Sequence, residues 1–156
     1  MIHSIDHVNL VVADLEAMIA FYRDVLGLRL AKRATIHGGW IDAVTNLAGV
    51  RADVAFLELP EGPPIEMICY RSPPSRRPPG LGEPQAQGLR HVAFRVADLD
   101  ALAAAIRAAG VPLLSPVQQV PDDQVEYAQV RKRLVYCRDP EGNLLELCAY
   151  ELTARG

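Results

Sequence analysis

The chain has three cysteines, Cys69, Cys137 and Cys148, an odd count with no CxxC spacing. That excludes a disulfide framework, and Cys69 and Cys148, inside apolar runs, read as small buried hydrophobes. Charge of one sign is also scarce. Sixteen Lys and Arg stand against 19 Asp and Glu, a net charge of −3, which argues against a nucleic acid as the main partner. No apolar stretch approaches 18 residues, so no membrane-spanning helix is expected. The first residues, MIHSID, lack a basic region followed by an apolar core. No secretory signal is expected, and a soluble cytoplasmic protein is. What remains is ordinary globular material: half the 156 residues are apolar, 22 % are charged and 6 % are aromatic. This excludes disorder over most of the chain, and the length suffices for a core without a disulfide or structural metal.

The chain contains an internal repeat. Residues 6–18 read DHVNLVVADLEAM and residues 90–102 read RHVAFRVADLDAL, with seven of thirteen positions identical at an offset of 84. Residues 60–70, PEGPPIEMICY, match 140–150, PEGNLLELCAY, at five of eleven positions and an offset of 80. Two matches in the same order and at nearly the same spacing indicate two copies of one module. Between them lies 71–88, RSPPSRRPPGLGEPQAQG, whose five prolines and three glycines read as a linker. The expected division is 1–70, 71–88 and 89–156.

Each module begins as a strand. Val8, Leu10 and Val12 alternate with His7, Asn9 and Val11, and Val92, Phe94 and Val96 alternate with His91, Ala93 and Arg95. Alternation puts one apolar face on a core and the histidine on the other. Helices follow, with Asp14 and Asp98 as N-caps and Gly27 and Gly110 as stops. Their expected buried stripes are Leu15, Met18, Phe21, Tyr22 and Val25, and Leu99, Leu102, Ile106 and Ala109. Each module ends in two antiparallel strands about a PEG turn, the last carrying Glu66 or Glu146 opposite an apolar face. The pattern is βαβββ in each copy, an α+β fold.

Glu66 and Glu146 interrupt apolar strands, where a carboxylate is costly unless compensated. A divalent metal would answer this for both glutamates and for His7 and His91. Two duplicated modules are expected to be related by a pseudo-twofold, with one His and one Glu from each reaching a shared site. Two imidazoles and two carboxylates suit one Zn, Ni, Co, Mn or Fe(II) ion.

The two HVxxxVADL segments, the IEM strand and the DPEGNLLEL ending resemble the vicinal oxygen chelate superfamily. This group includes glyoxalase I, methylmalonyl-CoA epimerase, extradiol dioxygenases and the bleomycin-resistance proteins. The resemblance covers nearly the whole chain. It implies a cup-shaped mixed sheet around a metal held by His7, Glu66, His91 and Glu146, and a protein that often forms a homodimer. It also implies a small substrate chelating the metal through vicinal oxygens, with proton transfer by an isomerase, epimerase or lyase. Glu146 or Glu66 would serve as base, Glu146 being favoured by analogy. Two other readings remain: an Fe(II) extradiol-type dioxygenase using His7, His91 and Glu146, and a metal-free small-molecule binding protein. The resemblance to glyoxalase I departs after Glu66, where MICYR lacks the Asn that helps to hold glutathione.

Arg95 falls on the face of His91, where it can pair with a substrate carboxylate or phosphate, and Asn9 holds the matching place near His7. Tyr70 and Tyr150 follow the glutamates at i+4 and are candidates for the rim. Trp40 sits in the long segment 31–53, read as an apolar loop able to close over substrate. The run Arg131-Lys132-Arg133 reads as a solvated strand start, from which Lys132 can touch a phosphate-bearing substrate.

Overall fold

Asp14 and Asp98 start the two helices as the sequence predicts. The carboxylate of Asp14 accepts from the Ala17 amide at 3.0 Å, and that of Asp98 from the Ala101 amide at 2.9 Å. Each ties down a first-turn N–H that has no partner within its own helix. These contacts come from a computed structural model, which describes residues 1–125, 127 and 129–152. The chain divides into two units, Met1–Arg77 and Pro78–Gly156.

The first unit runs β1 (Val8–Val11), α1 (Leu15–Ala20), a π-helical turn (Phe21–Val25), β2 (Arg29–His37), α2 (Gly39–Thr45), β3 (Arg51–Glu58) and β4 (Ile65–Ser72). Its four strands form a mixed sheet in the order β1-β4-β3-β2, with β1 parallel to β4 and the other pairs antiparallel. The second unit runs β5 (His91–Arg95), α3 (Leu99–Ala108), β6 (Gln118–Gln119), β7 (Val130–Arg138) and β8 (Leu144–Leu152). It repeats the order as β5-β8-β7-β6, again with one parallel pair. The βαβββ pattern therefore holds in each copy. The fourth strand differs most: β2 has nine residues and β6 has two.

Apolar burial explains the layers. In the first unit Leu15, Met18, Ile19, Phe21 and Tyr22 are buried with Ala55, Leu57, Ile65, Met67 and Cys69 of the sheet. Removing a side chain of that size from water contributes roughly 1.5–3 kcal/mol. On β4 the buried residues Ile65, Met67 and Cys69 alternate with half-buried Glu66, Ile68 and Tyr70. The second helix buries Leu99, Ala103 and Ile106, whereas Ala109 is exposed and Leu102 half-buried. The inward stripe thus lies one position away from the expected one at its centre. Gly27 and Gly110 close the helical segments at φ +80° and +79°, a left-handed backbone that side chains rarely adopt.

Segment 31–53 differs from the expected loop. It holds most of β2, all of α2 and the start of β3. Trp40 lies in α2 and is 60 % exposed, while Ile41 faces inward. The Asp42 carboxylate accepts from the Gly49 and Val50 amides, which fixes the return into β3.

Candidate metal-binding and substrate site

Strand pairing sets each predicted ligand pair. In the first unit Asn9 stands beside Glu66 in the parallel β1–β4 ladder, and His7 immediately precedes β1. His7 Nε2 lies 3.2 Å from Glu66 Oε2. Its other nitrogen, Nδ1, is 2.7 Å from Asp6 Oδ2, which orients the ring. Asn9 Nδ2 donates to Glu66 Oε2 at 2.9 Å. Phe56 meets the His7 ring edge-on at 6.2 Å, and Lys32 Nζ sits 4.0 Å from the centre of the Phe56 ring.

The second unit repeats the pair in different surroundings. Glu146 stands beside Ala93 in the β5–β8 ladder and Tyr136 in the β7–β8 ladder. His91 Nε2 lies 3.4 Å from Glu146 Oε2. Lys132 Nζ is 2.6 Å from Glu146 Oε1, with both side chains largely buried. Burial pulls the Lys132 ammonium down, but the hydrogen bond and charge of Glu146 outweigh it and hold the group above its usual value. Burial, the charge of Glu146 and a hydrogen bond to it push the Tyr136 phenol up.

The turn before β8 is held by one carboxylate. Buried Asp139 accepts from the Glu141 and Asn143 amides and from Asn143 Nδ2, at 3.0, 2.8 and 2.8 Å. This fixes the hairpin that presents Glu146 three residues after Asn143.

Two atoms bound to one ion at about 2.0–2.2 Å and roughly at right angles stand about 3 Å apart. Both His–Glu pairs have that spacing and the right donor types, so the residues present fit a divalent metal. Among the described residues no group of three or more His, Cys, Asp or Glu side chains is placed to hold an ion, and the predicted ligands meet in pairs.

A glyoxalase/bleomycin resistance protein/dioxygenase superfamily model matches residues 4–147, which spans both pairs. The chain belongs to that superfamily. A 2-epi-5-epi-valiolone epimerase from an Actinomyces species is 31 % identical over 148 residues, covering 92 % of this chain and 78 % of that one. A solved glyoxalase family protein from Bacillus cereus superposes with a TM-score of 0.82 at 29 % identity, covering 97 % of this chain and 96 % of that one. The trypanothione-dependent glyoxalase I of Leishmania major shares the fold, with a TM-score of 0.61 at 19 % identity over 94 % of this chain and 86 % of that one.

The remaining candidates of this superfamily member are placed as follows. Asn9 binds Glu66. The Arg95 guanidinium lies over the Tyr150 ring, 5.2 Å from its centre. Tyr70 lies beside Ala52, on the face of Glu66. Trp40 lies in α2 and is exposed.

The basic run is not one solvated face. Arg131 pairs with Asp122, and Arg133 with Asp100 and Glu151, while Lys132 turns to the other side and reaches Glu146. Alternation along β7 splits the run in this way. Asp6, Lys32, Phe56 and Tyr136 were not singled out from the sequence. The register gives the signal for Tyr136, because Lys132 and Tyr136 lie on one strand face four residues apart. No helix is long and apolar enough to cross a membrane among the described residues.

Proposed function

We propose that this protein is a divalent-metal-dependent enzyme that moves a proton on a small substrate chelating through vicinal oxygens. The two His–Glu pairs carry the reading: His7 with Glu66 at 3.2 Å and His91 with Glu146 at 3.4 Å. All four residues hold the metal, one Zn, Ni, Co, Mn or Fe(II) ion. The epimerase relative supports epimerase or isomerase chemistry over lyase chemistry. The protein works in the cytoplasm as a homodimer.

A bound ion supplies Lewis-acid polarisation of a substrate carbonyl and stabilises the negative charge that develops on its oxygen. The neighbouring C–H then becomes acidic enough for a carboxylate to remove its proton. Glu66 is the better placed of the two glutamates for that work. Its Oε2 takes both the His7 and Asn9 contacts, and its Oε1 has no hydrogen bond or ion pair among the described residues. Glu146 is held at both oxygens, by Lys132 and by His91, and this restrains it. Asp6 keeps His7 oriented while Glu66 moves. Delivery of a proton from water to the other face of the carbon, with the proton on Glu66 passing to solvent, completes an epimerisation.

The test is solvent deuterium exchange on a panel of 2-hydroxy ketones, run without O₂ on the metal-loaded protein. Exchange should fall by roughly 10²–10⁴ in Glu66→Gln. O₂ consumption with catechols by the Fe(II) form, without exchange on any carbonyl compound, would give the dioxygenase reading instead.

A further inference from the structure

The sheet face that carries His91 and Glu146 also carries two cations at places where its repeat has apolar residues, the repeat's own cation on that face being Lys32 of β2. Cross-strand partners share a face, so His91, Ala93 and Arg95 of β5 lie with Glu146, Cys148 and Tyr150 of β8 and with Lys132 and Tyr136 of β7. The first unit gives an internal comparison. There Val11 stands beside Ile68 where Arg95 stands beside Cys148, and Ala52 beside Tyr70 where Lys132 stands beside Tyr150. The same fold therefore forms with apolar residues at both places, and the cations are an addition to it.

The added charges converge. The Arg95 guanidinium lies 5.2 Å from the centre of the Tyr150 ring and the Lys132 ammonium 5.9 Å from it. Tyr127 meets that ring at 5.6 Å and braces it. Lys132 spends one contact on Glu146, and the ammonium has three donors. Arg95 is exposed and has no carboxylate partner among the described residues. Its fork of donors is thus available, with the guanidinium placed over an aromatic ring.

We propose that Arg95 and Lys132, gathered at Tyr150, form a subsite for an oxyanion, the carboxylate or phosphate group of the substrate. Arg95 binds the oxygens through its paired donors and Lys132 adds a point charge. The subsite rests on the proposed function only in making this face the substrate side, and the substrate class becomes an acidic one. An unsubstituted polyol would leave Arg95 without a partner.

Zinc-loaded protein is titrated with methyl phosphate and, separately, with acetate, by calorimetry and by the arginine side-chain N–H signals in NMR. Arg95→Val copies the residue at the repeat position, so the fold should accept it. The Arg95 signal should move on saturable binding, and Arg95→Val should weaken that binding at least tenfold with zinc content unchanged. Whichever anion binds more tightly names the group. Binding that is unaltered in Arg95→Val, or an Arg95 signal that stays still with both anions at tens of millimolar, overturns the subsite. An anion held by zinc alone would survive Arg95→Val and vanish in the metal-free protein, which also overturns it. Zinc content is read separately: anion binding at Arg95 in a protein that takes up no zinc would sink the metal reading and keep the subsite.

Discussion

Lys132 Nζ lies 2.6 Å from Glu146 Oε1, while the other oxygen of the same carboxylate faces His91 Nε2 at 3.4 Å. One carboxylate is thus divided between a cation and an imidazole. In the first unit Glu66 gives a single oxygen to both His7 and Asn9. The two His–Glu pairs share spacing but differ in restraint.

Removing the cation should loosen Glu146. Lys132→Met is expected to weaken metal affinity by roughly 10–100-fold, the usual cost of losing a partner that orients a ligand. Lys132→Arg should recover part of it. Competition against a chromogenic chelator measures both. Wild-type affinity in Lys132→Met would show that the ion pair does not position Glu146.

Asp139 should matter to stability out of proportion to its distance from the chemistry. Its buried carboxylate accepts three hydrogen bonds in the turn between β7 and β8. Asp139→Ala leaves those donors without their acceptor and should cost at least about 2 kcal/mol. Urea unfolding with an unchanged slope is the measurement. A loss within error of zero would mean that water or the strands themselves hold the turn.

Alkali should unfold the protein partly through Cys137. This thiol is fully buried, and burial, with the charge of Asp139 adding to it, pushes it up to about 11 from its usual 9.0. A thiol kept neutral in the fold contributes stability fully below pH 9.0, and that contribution is lost as pH rises through about 11. The loss amounts to roughly 2–3 kcal/mol. Urea midpoints from pH 8 to 11 should therefore fall more steeply in the wild type than in Cys137→Ala. Parallel curves would contradict the assignment, as would rapid alkylation of native Cys137 at pH 8.

The repeat made much of this protein legible from its residues. His7, Glu66, His91 and Glu146 recur at matched places, and strict alternation on β4 separates Ile65, Met67 and Cys69 from Glu66. The Asp14 and Asp98 caps were equally readable, since a cap depends on local spacing. Segment 31–53 was not. Most of β2 is half-buried or exposed on both faces, as suits a strand at the sheet edge, so Arg29 to His37 shows no alternation to read. The second copy offered no help, because its counterpart β6 keeps only Gln118 and Gln119. Lys132 was hidden for a different reason. Composition groups it with Arg131 and Arg133, whereas the strand sends it to the opposite face.

The proposed function has His7, Glu66, His91 and Glu146 together holding a single ion. The deciding measurement is metal content by elemental analysis, after loading with zinc, nickel, cobalt, manganese or Fe(II) and desalting. The wild type should retain about one ion per chain, with ligand distances of about 2.0–2.3 Å in a metal-bound crystal structure. His7→Ala and His91→Ala should each bring it close to zero while the fold persists by circular dichroism. Two ions per chain, with each variant losing only one, would show that the pairs act separately. Unchanged content in His91→Ala would show that the ligand set is wrong.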